Sequence, residues 1–451
     1  MTTTAALRHT IGIRLEDKSV WERRVPLVPA DIAQLQADHP GLSVHVQGSP
    51  LRVYDDAGYR AVGATIVDQL DEARVVLAVK EIPISLLRAR TTYVFFAHVI
   101  KGQAHNMPLL RRLLDLHCTL IDYERVVDDA GHRLIFFGRQ AGQAGMLESL
   151  RALGQRLAWE GQANPLSAIR PAHEYRDLAD ACDHLDALRD DLDGFADARG
   201  GGARPLVFAF TGGGNVTRGA LDVFERLPHR TVTAETLAAR GIDDLGGPGL
   251  VKVQLTGRAA LYTPRDPSQP FDRATLETRP EDYRGALVDL LPQVTALIHG
   301  IYWDPRYPRL LTREQAARLV RDDAPLRLVG DVTCDIGGSI AITDRPTQPD
   351  RPTYVYRPDL DRTVDGVEGE GIVVLAVDNL PCELPRDASD QFSAALAPFV
   401  PALASADYRA PFAQLALPDP IRRAVVAHGG ALTPDYRALE VPLVAHGGGA
   451  V

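Results

Sequence analysis

Cysteine is scarce in this sequence, which has four among 451 residues, at Cys118, Cys182, Cys334 and Cys382. They form no Cys-x-x-Cys pair and no spacing typical of a metal site, so we expect reduced cysteines and no bound metal. Long apolar runs are also absent, since no stretch approaches the roughly 18 residues that a membrane-spanning helix needs. The first residues show no basic segment followed by an apolar core, which predicts that no signal peptide is present. We therefore expect a cytoplasmic protein without a membrane segment.

Positive charge is in deficit as well. Lysine and arginine together number 49 against 59 aspartates and glutamates, which gives a formal net charge of −10. Nucleic-acid binding usually requires a basic face, so neither nucleic acid nor a membrane is an expected partner. An acidic chain can still hold a locally basic site for a small anionic ligand. Hydrophobic residues make up 45% and charged residues 24%, as in ordinary globular proteins. The length predicts two or three domains.

Short apolar runs alternate with amphipathic stretches through most of the chain, which predicts a doubly wound α/β fold with parallel sheets. A long helix is predicted over 146–161, after a small, flexible segment at 138–145. A triple glycine at 200–202 predicts a surface loop, and a second α/β unit then begins. The predicted strands are 11–14, 42–46, 75–79, 93–96, 119–121, 206–210, 296–298, 327–329 and 371–377.

A glycine-rich turn stands between a buried strand and an amphipathic helix at the start of that second unit. Gly212 and Gly214 fit the first two glycines of a dinucleotide-binding turn, but the third position holds Thr217, with Gly219 two residues later. Glycine lets the backbone approach a pyrophosphate, and the first N–H groups of the helix receive its charge. A tight turn without a ligand is the alternative. The predicted cofactor-binding residues here are Gly212, Gly213, Gly214, Asn215 and Val216.

The acidic residue that takes the ribose 2′-hydroxyl of NAD(H) is hard to find after the next predicted strand. That region reads Leu227-Pro-His-Arg-Thr-Val-Thr-Ala234, with Arg230 and threonines where an acid would stand. An arginine at this point accommodates a 2′-phosphate. The sequence therefore favours NADP(H) as the cofactor and leaves NAD(H) open.

Polar residues end three successive strands of the first unit, where an open α/β sheet places its ligands. A lysine at the end of a buried strand has its pKa lowered by burial and raised by nearby carboxylates, and histidine titrates near neutrality. Lys80 and His98 are thus candidates for acid–base chemistry. The alternatives are a structural Lys80–Glu81 pair and a hydrogen-bonded core histidine. The residues at these strand ends are Lys80 and Glu81, then His98, Lys101 and Gln103, then Asp122 and Glu124.

Two arginines precede a proline-opened helix near the start of the chain, in Glu22-Arg23-Arg24-Val-Pro. One of them would clamp a substrate carboxylate with its two-pronged guanidinium group. An exposed pair without a ligand is the alternative.

These motifs together resemble the saccharopine-forming family, which comprises lysine–2-oxoglutarate reductase and the fungal lysine-forming saccharopine dehydrogenase. Both belong with alanine dehydrogenase and the transhydrogenase N-terminal domain. The resemblance covers nearly the whole chain. Its segments are Ile11–Arg14 with Glu22–Arg24, Val79–Glu81, Phe95–Gln103 with Asn106–Leu110, Leu120–Glu124, Phe210–Val216, His299–Trp303 with Arg309–Thr312, Gly330–Ile340, Val367–Gly371 and Val377–Arg386.

The resemblance implies a reaction in which the lysine ε-amine condenses with the ketone of 2-oxoglutarate and the imine is reduced by NAD(P)H. It places Lys80 and His98 as the acid–base pair, with Glu81 and Glu124 as acids that tune them. The substrate side of the site would hold Arg24, Lys101 and Gln103, and Asp335 would lie near the nicotinamide ribose. Imine formation needs one proton removed from the ammonium and another delivered to the departing oxygen, which suits two groups of differing pKa.

The same resemblance implies a substrate domain of residues 1–145 plus 342–451, a dinucleotide-binding domain of 146–341, and a substrate cleft between them. Animal and plant relatives fuse this reductase to a saccharopine-cleaving enzyme, so such a partner is expected to be separate here. Two other functions stay open: an opine- or imine-forming dehydrogenase with a different amine or oxo acid, and a dinucleotide-binding regulatory module without turnover.

Overall fold

Short strands alternate with helices along the chain, as the hydrophobic pattern predicts. The computed structural model describes residues 9–198, 204–245, 247 and 249–446. In chain order the strands are β1 (His9–Ile13), β2 (Leu42–Gln47), β3 (Thr65–Val67), β4 (Val75–Leu77), β5 (Thr92–Phe95), β6 (Thr119–Asp122), β7 (Leu206–Thr211), β8 (His229–Thr231), β9 (Leu250–Leu255), β10 (Tyr262–Pro264), β11 (Tyr283–Gly285), β12 (Ala296–His299), β13 (Leu328–Asp331), β14 (Thr353–Arg357), β15 (Arg362–Asp365), β16 (Ile372–Leu375), β17 (Val425–His428) and β18 (Ala431–Leu432).

The helices cover or connect these strands, and short 3-10 turns join several of them. In chain order they are α1 (Pro29–Asp38), α2 (Asp56–Ala61), α3 (Met107–Asp115), α4 (Gly138–Trp159), α5 (Leu178–Ala187), α6 (Arg189–Ala198), α7 (Asn215–Phe224), α8 (Ala234–Arg240), α9 (Arg273–Thr278), α10 (Leu287–Leu290), α11 (Arg313–Arg321), α12 (Pro385–Leu396), α13 (Val400–Ser405), α14 (Asp419–Arg423) and α15 (Glu440–His446).

The first unit is built on a sheet with the strand order β18-β17-β6-β5-β4-β1-β2-β3. Strands β6 to β3 of this order pair in parallel, and β17 and β18 add antiparallel at one edge. Val75 and Leu77 of β4 pack into one apolar cluster and Val76 packs into another. Because successive side chains point to opposite faces, both faces of the sheet are covered.

The second unit is built on a sheet with the order β15-β14-β16-β13-β12-β7-β9-β8, and β10 and β11 form a separate pair. The six neighbouring strands β8, β9, β7, β12, β13 and β16 are parallel. At the opposite lateral edge, β14 pairs antiparallel with β16, and β15 pairs antiparallel with β14. Phe208 and Phe210 of β7 belong to one core cluster, and Val207 and Ala209 belong to the other. The predicted class, two doubly wound α/β domains, is therefore confirmed, with mixed rather than wholly parallel sheets.

The chain divides at different residues from the expected 145 and 342. One unit runs up to Phe137 and resumes at Pro385, and the other is Gly138–Leu384. The first boundary lies earlier because 138–145, expected to be a flexible segment, is the first part of α4. The second lies later because β16 pairs with β13, and β14 and β15 extend the same sheet. The residues bearing on the predicted absence of a signal peptide (1–8) and on the predicted loop at 200–202 lie outside the described residues.

Candidate active site and nucleotide turn

The carboxyl ends of four neighbouring strands of the first sheet bring the predicted reacting groups together. We call this line of strand ends the carboxyl edge of the sheet, as distinct from its two lateral edges at β3 and β18. Strands β6, β5, β4 and β1 are adjacent and parallel, so the residues that follow them lie along that edge. Lys80 and Glu81 follow β4, His98 follows β5 and Glu124 follows β6. The sheet order therefore puts the three predicted strand ends next to one another.

Glu81 joins His98 to Lys18 at the centre of this edge. Its Oε1 is hydrogen-bonded to His98 Nδ1, and its Oε2 lies 2.7 Å from the Lys18 ammonium. Burial acts to raise the pKa of Glu81, but the hydrogen bonds from His98 and Lys18 outweigh it, and the pKa is lowered. An ionised Glu81 fixes the His98 ring through Nδ1, and Nε2 is the nitrogen that Glu81 does not engage.

His98 holds a backbone conformation that side-chain-bearing residues seldom adopt. Its φ is +52°, and such a strained position persists only where the surrounding structure maintains it. The side-chain amide of Asn106 donates to the His98 carbonyl oxygen at 2.8 Å. Asn106 is the N-cap residue of α3, so His98 is held through its backbone as well as through Glu81.

Lys80 is half-buried beside charges of both signs. Burial lowers its pKa, and the nearby Arg24 and Lys18 lower it further, while Glu22 and Glu81 oppose the shift. The net lowering favours a neutral amine, the form that can accept a proton.

Glu16 is a buried acid beside these groups that was not predicted from the sequence. Its carboxylate accepts the backbone N–H groups of Val79 at 2.6 Å and Lys80 at 3.0 Å, and so holds the turn after β4. Burial raises its pKa to about 7, with a further contribution from Glu22, while the two N–H groups act in the opposite direction. Its place after β1, the strand next to β4, was the available signal.

Asp122 is a second buried acid at this edge; both it and Glu124 were expected at this strand end, and the family resemblance gave a role to Glu124 alone. Burial raises the pKa of Asp122 to about 7, while its hydrogen bond from the Glu124 N–H and the charge of His98 act to lower it. That N–H donates to Asp122 Oδ1 at 2.9 Å. The Glu124 side chain pairs with Arg133 at 3.2 Å and is 19% exposed, whereas Asp122 is 0% exposed and is therefore the deeper of the two carboxyls.

Arg24 is not an exposed arginine, and its guanidinium group already binds a carboxylate of the chain itself. Its Nε and Nη2 donate to the two oxygens of Glu22 at 2.7 and 2.5 Å, and both side chains are 1% exposed. The same group lies 4.2 Å from the centre of the Phe137 ring. Lys101 and Gln103 are exposed in the segment after β5.

The glycine turn of the second unit lies between β7 and α7, as expected. Gly212 has a φ of +88°, and a Cβ atom there would lie 2.5 Å from Ile301 Cγ2, so only glycine fits. Gly213 and Gly214 are exposed, and Gly214 is the N-cap of α7. The backbone N–H groups at Asn215 and Val216 therefore begin a helix at an open surface, which suits an anion such as a pyrophosphate.

Thr217 and Gly219 share the tasks of the third glycine. A Cβ at Gly219 would collide with the carbonyl oxygen of Arg139, so Gly219 allows the close packing of α7 on α4 that this motif requires. Thr217 is buried and its hydroxyl donates to the Thr211 carbonyl at 2.8 Å. The imperfect spacing thus keeps the structural role of the third glycine and moves it by two residues.

His299 connects this turn to the end of β12. Its Nδ1 lies 3.0 Å from the hydroxyl of Thr211, and its Nε2 lies 2.8 Å from that of Ser339. Burial lowers the pKa of His299, against an opposing effect of Asp331, so the ring is neutral and suited to a hydrogen-bonding role. The sequence comparison noted the segment 299–303 but gave His299 no part in the site.

Asp335 lies in the exposed loop after β13. Asp331, at the end of that strand, accepts the hydroxyls of Thr333 and Thr343, each at 2.6 Å, and so holds the start of this loop. The loop is at the same carboxyl edge of the sheet as the glycine turn. Arg230, expected near the ribose, lies on the edge strand β8 and donates to the carbonyl oxygens of Leu245 and Gly247.

These features define a protein with a dinucleotide-binding domain and a second doubly wound domain that gathers acid–base groups. Two sequence models of alanine dehydrogenase/PNT match the chain, the N-terminal domain at residues 12–144 and the C-terminal domain at residues 294–435. Together the two matches span more than half of the chain. The chain belongs to the alanine dehydrogenase/PNT family.

Among curated proteins, the chain is 35% identical over 443 residues to alpha-aminoadipic semialdehyde synthase of Arabidopsis thaliana, with 94% of this chain and 41% of the relative covered. It is 35% identical to the Mus musculus protein named alpha-aminoadipic semialdehyde synthase, mitochondrial, with 96% and 48% covered. The chain thus spans less than half the length of these relatives. Saccharopine dehydrogenase [NAD(+), L-lysine-forming] of Yarrowia lipolytica is 26% identical, with 86% and 90% covered.

Solved structures agree on the fold. An L-alanine dehydrogenase matches with a TM-score of 0.62 at 17% identity, covering 96% of this chain and 99% of that one. A transhydrogenase from Sinorhizobium meliloti matches with a TM-score of 0.52 at 15% identity, covering 94% and 99%. Within the described residues, no helix combines the length and the apolar character needed to cross a membrane.

Proposed function

We propose that this chain is an NAD(P)H-dependent oxidoreductase that condenses L-lysine with 2-oxoglutarate and reduces the product to saccharopine, or runs the reverse reaction. The observation that carries the proposal is the group at the edge of the first sheet, where Lys80 adjoins the hydrogen-bonded Glu81 and His98. A regulatory module without turnover needs no such pair. The names of the relatives and the shared family support the same substrate class.

The condensation requires proton transfers that two groups of this edge can perform. Lys80, with its lowered pKa, takes the proton from the lysine ε-ammonium and leaves a neutral amine that attacks the ketone carbon. His98, oriented by Glu81, gives a proton to the carbinolamine oxygen, which leaves as water and yields the imine. Each such transfer typically contributes 10²- to 10⁴-fold to a rate.

The carboxylates of the substrates need positive charge that an acidic protein has to place locally. Lys101 is exposed near His98 in the chain and is the proposed carboxylate ligand, with Gln103 as a neutral hydrogen-bonding neighbour. Arg24, engaged by Glu22, is proposed instead to act on Lys80: its charge contributes to lowering the Lys80 pKa.

NADP(H) is the proposed cofactor in preference to NAD(H), and when bound it would supply the hydride that reduces the imine. Gly212, Gly213, Gly214, Asn215 and Val216 would hold the pyrophosphate. Asp335, in the loop after β13, would face the nicotinamide ribose.

The test is the absorbance of reduced nicotinamide in the presence of enzyme, lysine and 2-oxoglutarate, followed by the same assay with either substrate replaced. Oxidation of NADPH with lysine and 2-oxoglutarate is the expected result. Turnover only with another amine or oxo acid would instead support a related imine-forming dehydrogenase. No turnover with any pair, from a protein that binds NADPH, would refute the proposal and favour a regulatory module.

A further inference from the structure

The strand beside the glycine turn is not the next strand along the chain. In the order β12-β7-β9-β8, β9 pairs with β7 over the full length of both, and β8 lies outside it at the sheet edge. In dinucleotide-binding sheets of the order 3-2-1-4, the group that meets the adenosine ribose follows the strand adjacent to the turn. That position here comes after Leu255, the last residue of β9, and not after Thr231, the last residue of β8.

Direct contacts place the end of β9 against the turn. The Gln254 side-chain amide donates to the Gly212 carbonyl oxygen at 3.1 Å. A Cβ atom at Gly213 would lie 3.6 Å from Thr256 Cγ2. The guanidinium group of Arg230 in β8, in contrast, donates hydrogen bonds to the carbonyl oxygens of Leu245 and Gly247. The segment Thr256-Gly257-Arg258 therefore lies beside the turn, where the adenosine ribose of a dinucleotide would be placed.

This segment offers a hydroxyl, a guanidinium group and no carboxylate, and all three of its residues are exposed. The guanidinium carbon of Arg258 lies 4.2 Å from the centre of the Tyr307 ring. Stacking on an aromatic face restricts the side chain while the N–H groups at the rim of the guanidinium plane stay available to an anion.

The acids that face Arg258 are already paired with other arginines. Asp304 and Glu277 both interact electrostatically with Arg258, but Asp304 is hydrogen-bonded to Arg306 and Glu277 to Arg273. Among the residues that the structure describes, no salt bridge involves Arg258. Its charge is thus open to a ligand.

We propose that Thr256 and Arg258 form a subsite for the 2′-phosphate of NADP(H), and that Arg258 selects NADP(H) over NAD(H). The Arg258 guanidinium group donates to the phosphate oxygens, and the Thr256 hydroxyl donates to the same group. The proposal rests on the proposed dinucleotide binding, but it does not depend on the identity of the amine or of the oxo acid.

Calorimetric titration with adenosine 2′,5′-bisphosphate and adenosine 5′-monophosphate tests this subsite without any turnover. The two probes differ only in the 2′-phosphate. The wild-type protein should prefer the bisphosphate, and Arg258→Gln should weaken that ligand about 10- to 100-fold, as expected for the loss of one or two charge-assisted hydrogen bonds, while the monophosphate affinity stays unchanged. Arg230→Gln is the matched control and should leave both affinities unchanged.

A gain-of-function variant guards against loss of folding as the explanation. Thr256→Asp introduces a carboxylate that repels the 2′-phosphate of NADPH and accepts a hydrogen bond from the ribose 2′-hydroxyl of NADH. The variant should therefore prefer NADH over NADPH. An unchanged probe ratio in Arg258→Gln, a loss confined to Arg230→Gln, or a wild-type preference for the monophosphate would each overturn the proposal. If lysine and 2-oxoglutarate give no turnover but the bisphosphate preference depends on Arg258, the proposed reaction fails and the subsite stands.

Discussion

The carboxyl edges of the two sheets are both formed by residues that follow buried parallel strands, yet the two edges present different chemical groups. At the edge of the first sheet, side chains supply the contacts: Glu81 binds the side chains of His98 and Lys18, and Glu16 binds the backbone N–H groups of Val79 and Lys80. At the edge of the second sheet, the backbone itself is presented through a glycine turn and the start of a helix.

The two edges should therefore tolerate different kinds of substitution. An edge made of paired side chains is sensitive to the identity of its polar groups, because removing one partner leaves the other unpaired. An edge made of backbone is sensitive to added atoms, because a Cβ occupies the space that a ligand or a neighbouring segment needs. Substitutions of each kind can therefore separate the roles of the two edges.

The largest effect is expected from Lys80→Ala combined with His98→Gln. Turnover should fall by at least about 10³-fold, since both proposed proton-transfer groups are lost. Affinity for the reduced nucleotide should stay near the wild-type value, because these residues belong to the first unit and the turn belongs to the second. Steady-state kinetics and a fluorescence titration with NADPH measure the two quantities.

The control for that variant is His132→Gln, which changes an exposed histidine of the first unit that pairs with Asp128. It should retain full turnover. A double variant that keeps wild-type turnover would contradict the acid–base assignment, and a double variant that loses nucleotide binding would contradict the separation of the two edges.

The second effect concerns Gly212→Ala at the nucleotide turn. A side chain at a φ of +88° is strained, and its Cβ would press against Ile301. If the turn leaves its binding conformation to relieve a strain of roughly 1–3 kcal/mol, nucleotide binding should weaken about 5- to 150-fold. Titration with NADPH measures the loss, and Gly194→Ala, at a site with open space around the added Cβ, should bind normally. Equal affinity in both variants would rule out the turn as the cofactor site.

The positions of the candidate residues at strand ends follow from local sequence, but their partners do not. Hydrophobic runs mark where a strand ends, which is why Lys80, Glu81 and His98 were predicted at one edge. The Arg24–Glu22 pair depends on how two side chains fold back on each other in a buried setting, and hydrophobic periodicity contains no signal for this. The sequence therefore indicated a free arginine clamp where the structure has a closed pair.

The lateral order of strands was also beyond the sequence. Leu206–Phe210 and the turn after it were recognised, but nothing local indicates that β9 rather than β8 pairs with β7, since strand pairing is non-local. The start of α4 was missed for a related reason. A glycine-rich composition predicts flexibility. In the structure, however, Gly142 lies within α4 and allows close helix packing, because a Cβ there would collide with the backbone of Val216 in α7.

Each unit also buries carboxyl groups whose pKa is raised. Glu16 of the first unit accepts two backbone N–H groups. In the second unit, a ring nitrogen of His173 and one carboxylate oxygen each of Glu148 and Glu383 lie within 4.8 Å of one another. Burial raises the pKa of Glu148 and of Glu383 to about 8 in each case. In the folded protein these two carboxyls therefore bind protons more tightly than in the unfolded chain.

The smallest effect expected is a pH-dependent change of stability in Glu383→Gln. Because the folded pKa is raised, the carboxyl stabilises the fold most at low pH, and this contribution is lost as pH rises from the unfolded value of 4.5 to about 8. The neutral glutamine avoids this loss, so the difference between the Tm of the variant and that of wild type should increase as the pH rises across that window. Roughly 2–4 °C is expected for each kcal/mol.

Thermal unfolding at several pH values between 5 and 9 measures this difference, and Glu368→Gln, an exposed glutamate of the same unit, should show none. A Tm difference for Glu383→Gln that stays constant with pH would mean that the carboxyl is ionised throughout.

The most direct test of the proposed reaction follows the nitrogen of the amine substrate. Lysine labelled with ¹⁵N at the ε position is incubated with 2-oxoglutarate, NADPH and the protein, and the product is identified by mass spectrometry. The proposal predicts saccharopine that retains the label in its new secondary amine, formed by wild type and not by the Lys80→Ala, His98→Gln variant. Glutamate that contains the label, or no product at all from a protein that binds NADPH, would contradict it.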